Sequence, residues 1–270
     1  MSDRARPLIG FVIVVALGLA ALVPVTRLPV LLLLLAGLLI TSHAGWVAWR
    51  WGFGAALPVA LIFSWNWLIG DRLVADELVC ADVGSSLAWL RVLEAVLVIG
   101  AIVLLARVLG TSLPALGLRR PTRAELAVGI VAVLLIPLPS LYLGAILAEP
   151  FFGPMDLDLS QPAALVPALL LAVANGTMEE LAYRGALMAW LSRAAGPTIG
   201  LLGQALVFGF AHTGPDFVGP ALPVVLAIVA AGLLAGLIVR RTGSLWLVIA
   251  VHIAFDVPLY YAAACRLSPG

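Results

Sequence analysis

Long apolar runs separated by short polar segments fill the chain from one end to the other. A helix needs about 20 consecutive apolar residues to cross the hydrocarbon core of a bilayer. The pattern therefore predicts an all-α fold, a polytopic transmembrane helix bundle. Nine spans are predicted, at residues 7–25, 30–49, 53–70, 87–109, 127–148, 163–192, 198–212, 220–239 and 245–263. The third and the seventh of these runs are short, so a bundle of eight spans also fits the pattern.

The composition supports a chain that lies in lipid and argues against a nucleic-acid partner. Of the 270 residues, 63% are hydrophobic and 11% are charged, whereas a soluble domain carries about 25% charged residues. The formal net charge is only +1, which gives no basic surface for nucleic acid. Membrane lipid is therefore the first expected partner.

The arginines indicate how the predicted spans are oriented, because cytoplasmic connections carry an excess of basic residues. With the N-terminus inside, the outer connections hold three arginines, which are Arg27, Arg72 and Arg266. The inner connections hold ten, which are Arg4, Arg6, Arg50, Arg107, Arg119, Arg120, Arg123, Arg193, Arg240 and Arg241. This bias favours nine spans, a cytoplasmic N-terminus and a multi-pass protein of the inner membrane of a bacterial cell.

Ionisable residues interrupt the apolar runs in the last third of the chain. An ionisable side chain deep in a span is costly, and it is by default a candidate functional residue with a partner to be found. Six such residues occur here: Glu179, Glu180, Arg184, His212, His252 and Asp256. The alternative for the whole set is a buried polar network that only fixes helix packing. The third histidine, His43, has no acidic residue nearby in the sequence, and we expect it to serve in packing.

Helical spacing sorts these residues into pairs. Glu180 and Arg184 are four positions apart, so they share a helix face and are expected to form an ion pair. Glu179 then points about 100° away from its neighbour and is left for another partner. Phe208 and His212 are also four apart.

His252 and Asp256 have the same spacing, so three predicted helices each project polar groups from one face. Counting about 1.5 Å per residue puts Glu179 and His212 roughly 20 Å from the inner helix ends. The same count puts His252 at only roughly 10 Å. The sequence thus predicts a shared intramembrane site, with a difference in depth that helix tilt would have to remove.

The motifs and their order resemble those of the CAAX-protease and bacteriocin-processing family of intramembrane proteases. That family has EExxxR, then FxxxH, then HxxxN or HxxxD. This chain has EELAYR from Glu179 to Arg184, FGFAH from Phe208 to His212 and HIAFD from His252 to Asp256. All three motifs stand in the family's order, each in an apolar helix.

The resemblance implies an endopeptidase that depends on a glutamate and needs no cofactor. Carried over by motif position, Glu179 is the general base that activates water, and His212 helps to bind and orient that water. His252 and Asp256 correspond to the pair that stabilises the oxyanion.

Glu180, Arg184 and Phe208 become supporting residues. One branch of the family carries Asn where this chain has Asp256, and an ionised carboxylate can only accept hydrogen bonds. Either Asp256 is protonated in its apolar surroundings, or it accepts from His252 and holds that ring in its cationic form; we expect the second.

The resemblance also suggests three regions. Residues 1–110 are predicted to form N-terminal transmembrane helices, residues 111–126 a basic interfacial linker, and residues 127–270 the protease core. The two cysteines, Cys80 and Cys265, fall on the predicted outer side, where a disulfide between them is possible.

Three other functions remain open. Glu179, His212 and His252 could instead supply the open three-ligand site of a zinc protease, although no HExxH is present. Intramembrane acids and histidines also serve transporters, and a non-catalytic relative such as a bacteriocin-immunity protein is the third alternative. The expected substrate is a protein or peptide. Its class stays open among prenylated C-termini, secreted peptides and C-terminal sorting signals, with the last preferred.

Overall fold

The computed structural model describes residues 5–65, 86–142, 146, 149, 160, 162–213 and 222–264. These residues form helices and short connections and contain no strand. The α-helices are α1 (Ala5–Leu22), α2 (Arg27–His43), α3 (Val47–Trp65), α4 (Ser86–Leu109), α5 (Arg123–Leu135), α6 (Pro137–Tyr142), α7 (Leu165–Glu180), α8 (Met188–Ala195), α9 (Pro197–Ala211), α10 (Leu222–Thr242) and α11 (Trp246–Ala264). A π-helical segment, Leu181–Leu187, joins α7 to α8 without a break.

The helices confirm the all-α membrane bundle that the hydropathy pattern predicts. Five described segments are long and apolar enough to cross a membrane: Pro24–His43, Val47–Trp65, Ala88–Leu109, Leu165–Ala195 and Leu222–Thr242. Three further apolar helices are shorter: Arg6–Leu22, Pro197–Ala211 and Trp246–Tyr261. The exact number of spans stays a prediction.

The outer surface of the bundle is apolar, as a lipid environment requires. Leu33 on α2 is 70% exposed and Leu234 on α10 is 60% exposed, while Glu180 and Arg184 are buried. A soluble protein would place these residues the other way round. The chain is therefore membrane-embedded, with its polar groups collected inside the bundle.

The central element is the continuous segment from α7 through the π-helical turns to α8. It is 31 residues long and mostly buried, and α3, α4, α9 and α11 pack against it. The chain reverses at Gly196, whose φ of 105° suits glycine, and α9 returns antiparallel to α8. At Gly200 the two helices almost touch: an added Cβ would lie 2.7 Å from the Met188 carbonyl oxygen and 2.8 Å from the Ser192 amide nitrogen.

The first residues of α11 lie deeper in the bundle than helix counting predicts. The Leu245 amide donates to the Gly117 carbonyl over 3.0 Å, and the Leu245 side chain would lie 3.4 Å from a Cβ on Gly185. Leu245 is thus level with Gly185, about 15 Å along the helix from Ala195, the last residue of α8. The expected depth difference for His252 was therefore wrong, because it assumed that all helices begin in one plane.

The predicted linker 111–126 has an inserted half and an exposed half. Leu116 is buried between Gly185 and Leu245. Arg119 then bonds to Glu125 over 2.7 Å and to the Thr242 carbonyl over 3.1 Å. The linker is thereby attached to the end of α10.

A capping box between Thr122 and Glu125 stabilises the start of α5. The pKa of Glu125 falls to about 2, chiefly because its carboxylate accepts from the Thr122 backbone N–H and also from Arg119. Helix α5 ends at Leu135 and α6 begins at Pro137, which has no N–H to continue the helix. The predicted span 127–148 is therefore divided at this point.

The N-terminal helices pack against the later ones, α1 on α9 and α3 on α8. Cys80 and Cys265 lie outside the described residues, so their pairing stays a prediction. The orientation of the chain across the membrane and its division into three regions stay predictions as well.

The contact at Gly200 predicts a strong local requirement for glycine. Gly200→Ala would place a methyl group against the backbone of α8, and we expect it to lower the free energy of unfolding by about 1–3 kcal/mol. A thermal unfolding series in detergent micelles measures this loss. Gly100→Ala is the control, because a Cβ on Gly100 meets no atom within 4 Å. Equal melting temperatures for the two variants would contradict the close approach of α8 and α9.

Candidate active site

Helices α7 and α11 run antiparallel and face each other through a series of matched positions. Glu179 and Glu180 lie opposite His252, Asn175 opposite Asp256, and Leu171 against Tyr260. The positions step by four residues along each helix, so successive levels are about 6 Å apart. We call these three levels the α7–α11 ladder. The two helices can approach closely because residue 176 is glycine. A Cβ on Gly176 would lie only 3.3 Å from the Ile253 amide nitrogen.

Glu180 holds two basic side chains at once. Its Oε1 atom accepts from Arg184 Nη1 over 3.0 Å and from His252 Nδ1 over 2.8 Å. All of this lies in the bundle interior, where Glu180 and Arg184 are each 2% exposed. The predicted Glu180–Arg184 pair is thus present, but it is not self-contained, because Glu180 also fixes the orientation of the His252 ring.

Glu179 lies beside this pair with a different environment. Its Oε2 atom is buried without a hydrogen-bond partner among the described residues and lies 3.8 Å from His252 Nε2. That distance is too long for a direct hydrogen bond. It is short enough for one water molecule to contact both atoms.

Asp256 occupies the middle level of the ladder. Its Oδ2 atom accepts from Asn175 Nδ2 over 2.9 Å, and His252 Nε2 is 3.6 Å away. The sequence led us to expect that Asp256 accepts a hydrogen bond from the His252 ring. In the structure, Glu180 accepts that hydrogen bond instead. Asp256 contributes its charge close to Nε2 instead.

Helix α9 brings its two motif residues to the same place. The Arg184 guanidinium carbon lies 4.0 Å from the centre of the Phe208 ring, a close cation–π contact. The Phe208 ring is 4.9 Å from the His212 ring and 6.2 Å from the His252 ring. Phe208 therefore separates the two histidines and supports Arg184. His212 ends α9, and its Nδ1 atom lies 2.8 Å from the Phe208 carbonyl oxygen.

The π-helical turns begin directly after the two glutamates. The Met188 amide donates to the Tyr183 carbonyl, five residues earlier, in place of the usual four. Single turns of this type are common at functional sites. Along the chain, these turns follow Glu180, which contacts α11, and precede Gly200, where α9 touches α8. All seven residues of the π-helical segment are buried.

The structure therefore brings Glu179, Glu180, Arg184, His252 and Asp256 together and places Phe208 and His212 alongside. In the described part of the chain, no three His, Cys, Asp or Glu side chains are arranged to hold a metal ion. Whether the reaction needs a metal stays untested by this geometry.

Two polar features of the site were not predicted. Asn175 lies four residues before Glu179, so its spacing in an apolar run was an available signal. The second is the pair of Arg91 and Glu94 in α4, whose Nη1 and Oε2 atoms are 2.6 Å apart. Glu94 is three residues after Arg91 inside a predicted span, which was the signal for that pair.

One family model matches the part of the chain that carries these residues. Residues 161–258 match the family described as type II CAAX prenyl endopeptidase Rce1-like. The matched segment contains all three motifs and every residue of the α7–α11 ladder except Tyr260. No match is found among curated proteins. None is found among solved structures either.

The match confirms the resemblance to the CAAX-protease and bacteriocin-processing family for the part of the chain that carries the site. It supports a CAAX-type intramembrane endopeptidase, whose substrate is a protein or peptide in the membrane. The match thus supports the class of membrane-embedded proteases for a chain built as a helical bundle.

The two adjacent glutamates are expected to differ sharply in their effect on stability. Glu180→Ala leaves the buried Arg184 uncompensated, which costs about 3–5 kcal/mol of unfolding free energy. Glu179→Ala removes a carboxylate whose Oε2 atom has no hydrogen-bond partner, so the change stays within about 1 kcal/mol. Thermal unfolding of both variants in the same detergent makes the comparison. A larger loss for Glu179→Ala would contradict the assignment of Glu180 as the structural anchor.

Proposed function

We propose that this chain is a glutamate-dependent intramembrane endopeptidase in which Glu179 activates the hydrolytic water. The observation that supports this most is the 3.8 Å separation between His252 Nε2 and Glu179 Oε2, which has no hydrogen-bond partner among the described residues. A carboxylate oxygen that is available, and close enough to an imidazole for one water to contact both from the side, has the geometry of a general base.

In this proposal, water on Glu179 attacks the carbonyl carbon of the scissile peptide bond. The water's proton passes to Glu179 as the new C–O bond forms. The tetrahedral intermediate then breaks its C–N bond, and Glu179 returns the proton to the leaving amine. The enzyme thus regains its starting charge, and the products are a carboxylic acid and an amine. The acid then gives its proton to the amine or to water.

The oxyanion of that intermediate needs a donor, and His252 is oriented to provide one. Its Nδ1–H donates to Glu180, so Nε2 is the atom that faces Glu179 and Asp256. Glu180 and Asp256 lie close enough to favour the protonated ring, whose Nε2–H can then donate to the oxyanion. Asn175 keeps Asp256 in place through the 2.9 Å hydrogen bond.

His212 suits the role of orienting the water. The carbonyl oxygen of Phe208 can only accept, so the His212 Nδ1 atom 2.8 Å away carries the hydrogen. In the neutral ring Nε2 then carries a lone pair, which can accept a hydrogen bond from the attacking water. Phe208 fixes the ring by its contacts with both His212 and Arg184.

The proposal extends to the setting of the reaction. The substrate is a C-terminal segment of a membrane-associated protein, such as a sorting or CAAX-like signal, and the enzyme lies in the inner membrane. No metal takes part in this mechanism. The zinc alternative would use Glu179, His212 and His252 as metal ligands.

Replacement of the base tests the mechanism directly. Glu179→Gln keeps the size of the side chain and removes its basicity, so the rate of cleavage should fall by about 10²- to 10⁴-fold. The cleavage rate is measured with purified protein in detergent and a panel of quenched fluorescent peptides, with and without a farnesylated cysteine near the C-terminus. Mass spectrometry identifies the products. Glu125→Gln is the matched control, since glutamine also completes a capping box.

Two histidine variants complete this test. His252→Ala should reduce cleavage to a similar degree, while His43→Ala on the exposed end of α2 should not. In cells, membrane proteins with uncleaved C-terminal tails should accumulate in the Glu179→Gln strain. An unchanged biological effect in that strain, at equal protein level, would instead favour a non-catalytic relative or a transporter.

Metal removal separates the glutamate mechanism from the zinc alternative. We expect cleavage to persist after chelation, in protein whose zinc content by mass spectrometry is far below one ion per chain. Loss of activity on chelation, with recovery on addition of Zn²⁺, would establish the zinc protease instead.

A further inference from the structure

A second charged pair lies in α4 near the outer level of the ladder. Arg91 Nη1 contacts Glu94 Oε2 at 2.6 Å, with Glu94 only 2% exposed and the Arg91 side chain 20% exposed. Glu94 therefore acts as a buried anchor that directs a partly accessible guanidinium. The proposed mechanism uses neither residue.

The packing of α4 places this guanidinium beside Tyr260. Ala88, one turn before Arg91, is buried against Leu171, and Tyr260 packs on the same cluster. Ala88 and Arg91 are three residues apart, so Arg91 lies on the side of α4 that packs against α7. Tyr260 is two ladder levels beyond His252, which is about 12 Å along α11.

The geometry points to Arg91 as the binding group for the free C-terminal carboxylate of the substrate. This inference rests on the proposed endopeptidase function and adds a feature that determines specificity. An extended peptide advances about 3.3 Å per residue. A carboxylate held near Arg91 and Tyr260 therefore lies about three to four residues beyond a peptide bond located between Glu179 and His252.

The charges of the cleft explain why a terminal carboxylate needs such a group. Glu179, Glu180 and Asp256 face the catalytic end, and an unpaired substrate carboxylate among them would be repelled. Arg91 offers a cation beside Tyr260, which lies two ladder levels from His252. A guanidinium has five N–H donors, so Arg91 can keep its bond to Glu94 and still hold a second carboxylate. The enzyme would thus select substrates by the distance between the cleaved bond and the end of the chain.

A matched pair of peptides tests this selection. Each carries a quenched fluorophore and a farnesylated cysteine followed by three apolar residues; one ends in a free acid and the other in a carboxamide. Wild-type protein should cleave the acid with a kcat/KM about 10- to 100-fold higher, the range for hydrogen bonds to a charged group. Arg91→Gln should lose this preference and cleave the acid and the carboxamide with equal kcat/KM.

Two further variants sharpen the comparison. Arg91→Lys keeps the charge without the planar fork of donors, so it should retain part of the preference for the acid. Arg107→Gln, at the other end of α4, should keep the whole preference. Binding of both peptides to the Glu179→Gln protein, measured by fluorescence anisotropy, gives the same comparison without turnover.

The outcomes separate this inference from the proposed function. If cleavage depends on Glu179 but Arg91→Gln slows the acid and the carboxamide equally, Arg91 acts only on the fold or on Glu179, and the carboxylate site is overturned. An equal rate for both peptides in wild type overturns it as well. If no Glu179-dependent cleavage occurs, the endopeptidase proposal fails. A binding preference for the acid that Arg91→Gln abolishes would then still support the carboxylate site.

Discussion

The bundle depends on one buried carboxylate, Glu180, that binds two basic side chains from different parts of the chain. Arg184 and His252 cannot lie in lipid without a counter-charge, and Glu180 Oε1 supplies it to both at 3.0 and 2.8 Å. Arg184 in turn rests on the Phe208 ring of α9. The positions of α7, α9 and α11 relative to one another are thus fixed at the same level as Glu179.

The two adjacent glutamates, Glu179 and Glu180, therefore have different roles. Glu180 Oε1 accepts from two donors and so fixes the helices around it. The Oε2 atoms of both glutamates have no hydrogen-bond partner in the described part of the chain, but it is Glu179 Oε2 that lies 3.8 Å from His252 Nε2. Glu180 is thus held by its ion pairs, whereas Glu179 has an available oxygen next to the imidazole, as the proposed general base requires. Adjacent positions on one helix point about 100° apart, which lets a single EE pair provide both.

The sequence predicted the membrane bundle and most of the site residues, because apolar run length and four-residue spacing are local properties. Glu180 and Arg184 pair as predicted for that reason. The bond from His252 to Glu180 was not predictable in the same way, since it depends on where α11 begins. That level is set by Leu245 packing on Gly117 and Gly185, which are distant in sequence. Asn175 was not predicted, because its amide side chain carries no charge that distinguishes it within an apolar run.

The inserted half of the linker has a consequence for how the cleft is used. Leu116, Leu181 and Leu245 are each no more than 2% exposed and meet around Gly185, about 9 Å below Glu179 along the helix. In the described part of the chain, this apolar cluster fills the side of Glu179 that faces Gly185. Leucine side chains offer water no hydrogen bonds, so that side is dry. The hydrolytic water and the peptide are then expected to approach Glu179 from the other direction, where Asn175 and Asp256 supply polar atoms.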